Sequence, residues 1–244
     1  MAIMKDGEGA NMAKREIALI VGAGRGLSAS LARLCRAEGM EVALSARDTG
    51  KLAGLAGETD ARTYACDASR PGEVESLFSA VGDDLGVPDM VVYNPSFRAR
   101  GPITELDPEA VRKVLEITAF GGFLVAQQAA RAMLARGTGS ILFTGASASV
   151  KGYPNSSSFA MGKFALRGLA SALARELHPQ GIHVGHFVID GGIHQGPGDT
   201  RGAERGEDGM LDPDAIAQTY LQFHRQHRSA WSWEIELRPW IEKF

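Results

Sequence analysis

The run Ile17-Ala18-Leu19-Ile20-Val21-Gly22-Ala23-Gly24-Arg25-Gly26-Leu27-Ser28 decides the fold. Five apolar residues without a polar break suit a strand covered on both faces in a parallel sheet. Beyond the glycines, Leu27, Leu31, Leu34 and Cys35 recur at helical spacing until Gly39 closes the segment. Residues 42–44 then form a second short apolar run. Strand, glycine turn, helix and strand in that order make a dinucleotide-binding βαβ unit. The glycines let the backbone approach a pyrophosphate, which then faces the amides and the dipole of the helix. The same residues could form a tight turn without a ligand, but their place inside a complete βαβ unit favours binding.

The alternation continues outward. A weaker helix is expected over 51–56, a strand over 63–66, and a helix over 72–81 capped by Ser69 with Pro71 just inside. A strand over 90–93 precedes a long helix from Pro108 to about Arg136. Strands over 140–144 and 183–189 flank a helix over 163–177. Residues 191–209 change texture to Gly, Pro, Asp, Arg and Glu. A helix over 213–224 follows, and Trp231, Trp233, Ile235 and Leu237 alternate with polar residues as in a last strand with one buried face. These elements predict an α/β fold with a Rossmann-type doubly wound parallel sheet flanked by helices on both faces. The expected organisation is a disordered N-terminal extension over 1–13 and a single domain over 14–244, in which 191–210 form the substrate loop.

Composition narrows the partners. The 244 residues carry 26 basic and 29 acidic side chains, a net charge of −3, which gives no reason to expect nucleic acid. Cys35 and Cys66 are too few for a disulfide framework, and neither has a metal-ligand spacing, so no metal is expected. No run approaches the roughly 20 apolar residues of a membrane span, and the first dozen residues lack the apolar core of a signal peptide. The expectation is a cytoplasmic protein with a small-molecule substrate and no membrane partner.

Over most of its length, from Arg15 to about Ile193, the sequence resembles the short-chain dehydrogenase/reductase family. Gly22 and Gly26 match that family's Gly-x-x-x-Gly-x-Gly turn, with Ser28 at the last glycine. Leu44-Ser45-Ala46-Arg47 offers no acid for a ribose hydroxyl before Asp48, whereas Arg25 and Arg47 stand where NADP-preferring members carry basic residues. A guanidinium can hold a 2′-phosphate through two hydrogen bonds, so NADP(H) is expected rather than NAD(H). Cys66-Asp67-Ala68 is similar to the segment whose Asp contacts adenine, with a turn cap as the other reading of Asp67. Tyr93-Asn94-Pro95-Ser96 stands for Asn-Asn-Ala-Gly, and Asp190-Gly191-Gly192-Ile193 for the Pro-Gly-x-Ile turn beside the nicotinamide. The resemblance implies cofactor contacts from Gly22, Gly24, Arg25, Gly26, Leu27, Arg47, Asp67, Asn94, Lys163, Gly191 and Ile193. It also implies a homodimer or homotetramer through the long helix.

The family's chemistry rests on Asn, Ser, Tyr and Lys. Here Lys163 is in place, but Phe159 holds the tyrosine position, Ala146 the serine position with Ser147 one residue on, and Thr118 the asparagine position. A phenyl ring has no proton to give, so no environment can tune it into a general acid. Tyr153, the serines 156–158 and His194 are nearby polar groups, each better explained by surface or loop packing. Three functions stay open, the weakest a reaction that needs no such general acid, such as reduction of an activated alkene. The favoured one is a divergent NADP(H)-dependent oxidoreductase acting on a carbonyl or alcohol. The next is a catalytically degenerate dinucleotide-binding protein, a sensor or a structural subunit.

Overall fold

The computed structural model describes residues 15–196 and 198–242. The extension expected to be disordered, 1–13, lies outside them. Seven parallel strands form one sheet: β1 (Ile17–Val21), β2 (Glu41–Ala46), β3 (Arg62–Ala65), β4 (Met90–Tyr93), β5 (Gly139–Thr144), β6 (Ile182–Ile189) and β7 (Glu234–Leu237), in the order β3-β2-β1-β4-β5-β6-β7. The expected Rossmann-type α/β architecture is therefore the observed one.

Period-two alternation divides β1 between two cores. Leu19 and Val21 pack with α3 (Pro71–Asp84), α5 (Gly121–Leu134) and α6 (Ser157–Leu177). Ala18 and Ile20 pack on the opposite face with α1 (Leu27–Ala37) and α8 (Pro213–His224). Both faces being covered, all five β1 residues are buried, and an unbroken apolar run is what such a strand requires. The strand order reverses between β1 and β4, where a crevice opens at the carboxyl ends of the strands.

Several local expectations are corrected. Ser69 does not cap α3. Its amide and hydroxyl both donate to Asp67 Oδ1, at 3.0 and 2.7 Å, and Arg70 occupies the N-cap without a side-chain bond. The charged carboxylate is the stronger acceptor and holds the serine in its own turn. The long helix is also interrupted: α4 (Pro108–Leu115) and α5 are joined by a widened π-type turn, Glu116–Phe120. The buried Tyr93 hydroxyl donates to the Ile117 carbonyl inside that turn, and burial pushes its pKa upward. Helix α6 begins at Ser157, six residues before the expected start, and so carries Phe159 and Lys163 together. Residues 51–56 are covered by a 3-10 turn, Thr49–Leu52, followed by α2 (Ala53–Thr59). The last strand begins only at Glu234. Trp231 lies before it, stacked on His183 with centroids 4.4 Å apart.

Candidate active site

The carboxyl end of β1 runs into the glycine turn. Gly22 (φ 78°) and Gly26 (φ 70°) adopt left-handed backbone that L side chains rarely tolerate. At Gly22 a Cβ would also lie 2.7 Å from Pro95 N and Cγ, so β4's following loop fills the space a side chain would need. The amides of Gly22 and Ala23 donate to the Ser45 carbonyl at 2.9 and 2.8 Å, fastening the turn to β2. Around Gly24, by contrast, nothing lies within 4 Å of where a Cβ would be: the backbone there is open to the cleft.

Ser28 does more than keep α1 small. Its Oγ accepts from Asn94 Nδ2 at 2.7 Å and donates to the Gly22 carbonyl at 3.3 Å, while the Asn94 amide donates to Val21 O at 3.0 Å. One hydroxyl thus ties the β1 turn to the end of β4.

A cleft of about 880 Å³ opens along this edge, lined among others by Gly22, Gly24, Arg25, Arg47, Asp67 and Asn94. Its size suits a large small-molecule ligand. Arg25 and Arg47 are exposed at its wall. Asp48, the next acid after β2, is turned into the 3-10 turn: its carboxylate accepts from Gly50 N at 3.1 Å and pairs with Lys51 at 3.3 Å. Burial raises the Asp67 carboxyl, but the two Ser69 donors, helped by Arg47 and Arg70, outweigh it and hold the group below its ordinary value. Asp67 is therefore a turn cap, and it also lines the cleft. Leu27 is buried against the core rather than lining the cleft.

The second half of the site sits at the ends of β5 and β6. Lys163 is 2% exposed, and its Nζ donates to the Thr144 carbonyl at 2.6 Å. Burial, with repulsion from Arg98, pulls its pKa down to about 7. Phe159, one helical turn before it, is buried in a small apolar cluster with Ala146 and Ala148. The two positions where the family carries hydroxyls therefore share one apolar cluster. Ser147 lies in the 3-10 turn beside them, half-buried. Thr118 is fully buried in the π-type turn. Its Oγ1 has no hydrogen-bond partner among the described residues, and a Cβ at Gly162 would lie 3.1 Å from its own Cβ.

The other polar candidates are engaged elsewhere. Ser158 Oγ donates to Ala99 O at 2.6 Å, His194 Nδ1 accepts from Gly196 N at 3.1 Å, and Tyr153 is exposed near Lys151.

Beyond β6, the buried Asp190 pairs with Lys151 at 3.4 Å and Arg238 at 3.7 Å, so a salt-bridged acid replaces the proline of the family turn. Pro239 lies against Gly191, 2.8 Å from where a Cβ would be. Ile193 bridges Leu211, and its carbonyl accepts from Arg201 at 2.9 Å. The loop that looks irregular in sequence is thus internally braced, with a short helix α7 (Arg201–Arg205) inside it.

Two residues were not legible beforehand. The Gln195 side-chain amide lies 2.8 Å from where a Cβ on Gly26 would sit, covering the start of α1. The Arg98 guanidinium lies over the Phe159 ring, 4.1 Å from its centroid. Neither belongs to a periodic pattern that could have announced it.

These features form a crevice of the dinucleotide-binding type at the carboxyl ends of the strands, and comparison with known proteins agrees on the fold. The family model for short chain dehydrogenase matches residues 16–194. The chain therefore belongs to the short-chain dehydrogenase family of oxidoreductases. It is 30% identical over 159 residues to the 3-oxoacyl-[acyl-carrier-protein] reductase MabA of Mycobacterium tuberculosis, a match spanning 65% of this chain and 62% of that protein. A short-chain dehydrogenase structure from Rhodopseudomonas palustris is 33% identical, with a TM-score of 0.80 over 92% of this chain and 99% of its own. A metagenomic short-chain oxidoreductase solved with NADP shares the fold at 23% identity and a TM-score of 0.80, over 93% of this chain and 98% of its own. Among the described residues no helix is long and apolar enough to cross a membrane.

Proposed function

We propose that this chain binds NADP(H) in the cleft at the carboxyl ends of β1, β2 and β4, and uses it on a small carbonyl or alcohol substrate framed by residues 191–210. The observation that carries this reading is the charge pattern of the cleft wall. Arg25 and Arg47 are exposed there, while Asp48 is spent on its own turn. The open backbone at Gly24 allows the diphosphate to approach the start of α1. Arg47 and Arg25 would hold the 2′-phosphate, Asn94 keeps the turn in register, and Lys163 reaches the ribose. The bound nicotinamide supplies hydride transfer.

Of the four residues at the family's catalytic positions, Lys163 alone carries a readily transferable proton. Its Nζ is fixed on the Thr144 carbonyl, and its pKa of about 7 lets it hold or release that proton near neutrality. Phe159 and Ala146 exclude water on the side where a tyrosine hydroxyl would stand.

Fluorescence titration with NADPH and NADH tests the cofactor assignment. NADPH should bind at least about tenfold more tightly, and Arg47→Ser should remove most of that margin with little effect on NADH. Equal affinities would remove the NADP preference, and no binding of either would remove the nucleotide assignment.

The apolar cluster of Ala146 and Phe159 favours one competing reading, a nucleotide-binding protein without turnover. Loss of reduced-nicotinamide absorbance across a panel of aldehydes and ketones separates the two. Turnover by the wild type supports the oxidoreductase, and turnover only in Phe159→Tyr supports the binder.

Assembly through α5 and α6 belongs to the same proposal. Phe120, Phe123, Met161 and Phe164 leave between 42% and 50% of their surfaces exposed on or beside these helices. A second copy of the chain would cover them.

A further inference from the structure

Arg98 sits in the loop that follows β4, and two contacts fix that loop to the beginning of α6. Ser158 Oγ donates to Ala99 O at 2.6 Å, and Gly101 N donates to Asn155 O at 3.1 Å. The guanidinium is thereby laid on the Phe159 ring at 4.1 Å, while Lys163 Nζ stands 5.9 Å from the same ring centre. Two cations therefore flank the position where the family's tyrosine would act. Neither has a carboxylate partner among the described residues: Lys163 is bonded to a backbone carbonyl, and Arg98 makes its described contact with the ring. Arg100 adds positive charge near Arg98, whereas Arg201 is neutralised by Asp199 at 2.7 Å, which keeps that carboxylate from Arg98. Arg98 and Arg100 are exposed, so solvent screens their mutual repulsion, but the Arg98 guanidinium engages no carboxylate among the described residues and is open to an anionic group.

We propose that Arg98 is a specificity-determining residue that binds the carboxylate of a keto-acid or hydroxy-acid substrate, placing its reacting carbon beside Phe159 and Lys163. A planar guanidinium presents two parallel N–H groups that match the two oxygens of a carboxylate. Stacking on Phe159 holds the fork in orientation without using any of its donors. The aromatic ring thus has a positive role: it exchanges a proton-bearing tyrosine for a platform that seats a cation. The assignment rests on the proposed function for the location of the reaction centre, but not on the identity of the nucleotide.

The test uses three acids with carbonyls at successive distances, phenylglyoxylate, acetoacetate and levulinate, each paired with its methyl ester. Binding to the full chain is measured by calorimetry, with saturating NADP+ and again without nucleotide. At least one acid should bind roughly ten- to a hundredfold more tightly than its ester. Arg98→Gln should bring that pair within about twofold, and Arg98→Lys, which keeps charge but loses the fork, should fall between. NADP+ affinity should be unchanged in both variants, which shows that they are folded. Esters binding as well as acids in all three pairs would overturn the assignment. So would a preference that survives Arg98→Gln, or no acid binding at tens of millimolar. If NADP+ itself fails to bind, the cofactor reading falls, while the acid-ester difference measured without nucleotide still decides the role of Arg98.

Discussion

The two halves of the cleft have diverged in opposite ways. The half around β1 and β4 is held by backbone geometry and by one polar stitch, Asn94 to Ser28 to the Gly22 carbonyl. The half around β5 and α6 buries Lys163 beside apolar surface, with Phe159, Ala146 and Ala148 in one cluster. A turn that must pass close to Pro95 and leave room for a ligand tolerates few substitutions. A reaction centre can exchange a matched pair of residues together, because removing both polar partners leaves neither one buried and unsatisfied. The first half is therefore sensitive to single substitutions, and the second to whether its residues change together.

The largest expected effect tests the first constraint. Gly22→Val forces a β-branched side chain into left-handed backbone and against Pro95 N, which is 2.7 Å from the required Cβ. We expect destabilisation of about 3 kcal/mol or more and loss of nucleotide binding by at least about a hundredfold. Urea unfolding and a nucleotide titration measure both. Near-normal binding by this variant would mean that the turn does not hold the diphosphate.

Lys163 bears on the other half through pH. Its pKa lies near 7 in the folded chain against an ordinary 10.5, so between those values the unfolded chain binds more protons. Stability contributed at this position therefore rises with pH across that window and is smallest below it. Lys163→Met removes the dependence. The variant should gain on the wild type by a few kcal/mol as pH is lowered from about 10 to about 7 and no further below that. The slope is the readout, since losing the bond to the Thr144 carbonyl shifts both ends equally. Parallel stability curves would show that the amine is solvated rather than buried.

The same division explains what could be read from the chain alone. The buried apolar run of β1, the glycine turn and the helix after it are local patterns, and they fixed the sheet and the cleft. Substitutions at 118, 146 and 159 were also visible, because a family pattern can be checked residue by residue. Their meaning was not, since Ala146 joins the cluster of Phe159 only after β5 and α6 pack. Arg98 lies far in sequence from the ring it covers, and its neighbours Phe97, Ala99 and Arg100 show no periodicity. Ser69 misled for a similar reason: serine before Pro71 is a good capping pattern, yet Asp67 had already bound both its donors. The π-type turn accepts the buried hydroxyl of Tyr93 at the Ile117 carbonyl, a tertiary contact that no helical spacing encodes.

The smallest expected effect is also the sharpest test of the paired exchange. Ala146→Ser alone adds a hydroxyl near the buried Phe159 ring, at the N-cap of the 3-10 turn where Ser149 Oγ already accepts from the residue-146 amide at 3.1 Å, so it should cost less than about 1 kcal/mol. Phe159→Tyr alone adds a hydroxyl whose natural partner is missing, while the ring face can keep its contact with Arg98. Together the two hydroxyls can satisfy each other, so the double variant should be more stable than the sum of the singles by about 1 kcal/mol. Melting or urea curves for the four proteins give that coupling directly. A coupling near zero would mean that the two positions changed independently, and that their shared cluster at the end of β5 is incidental to how this centre works.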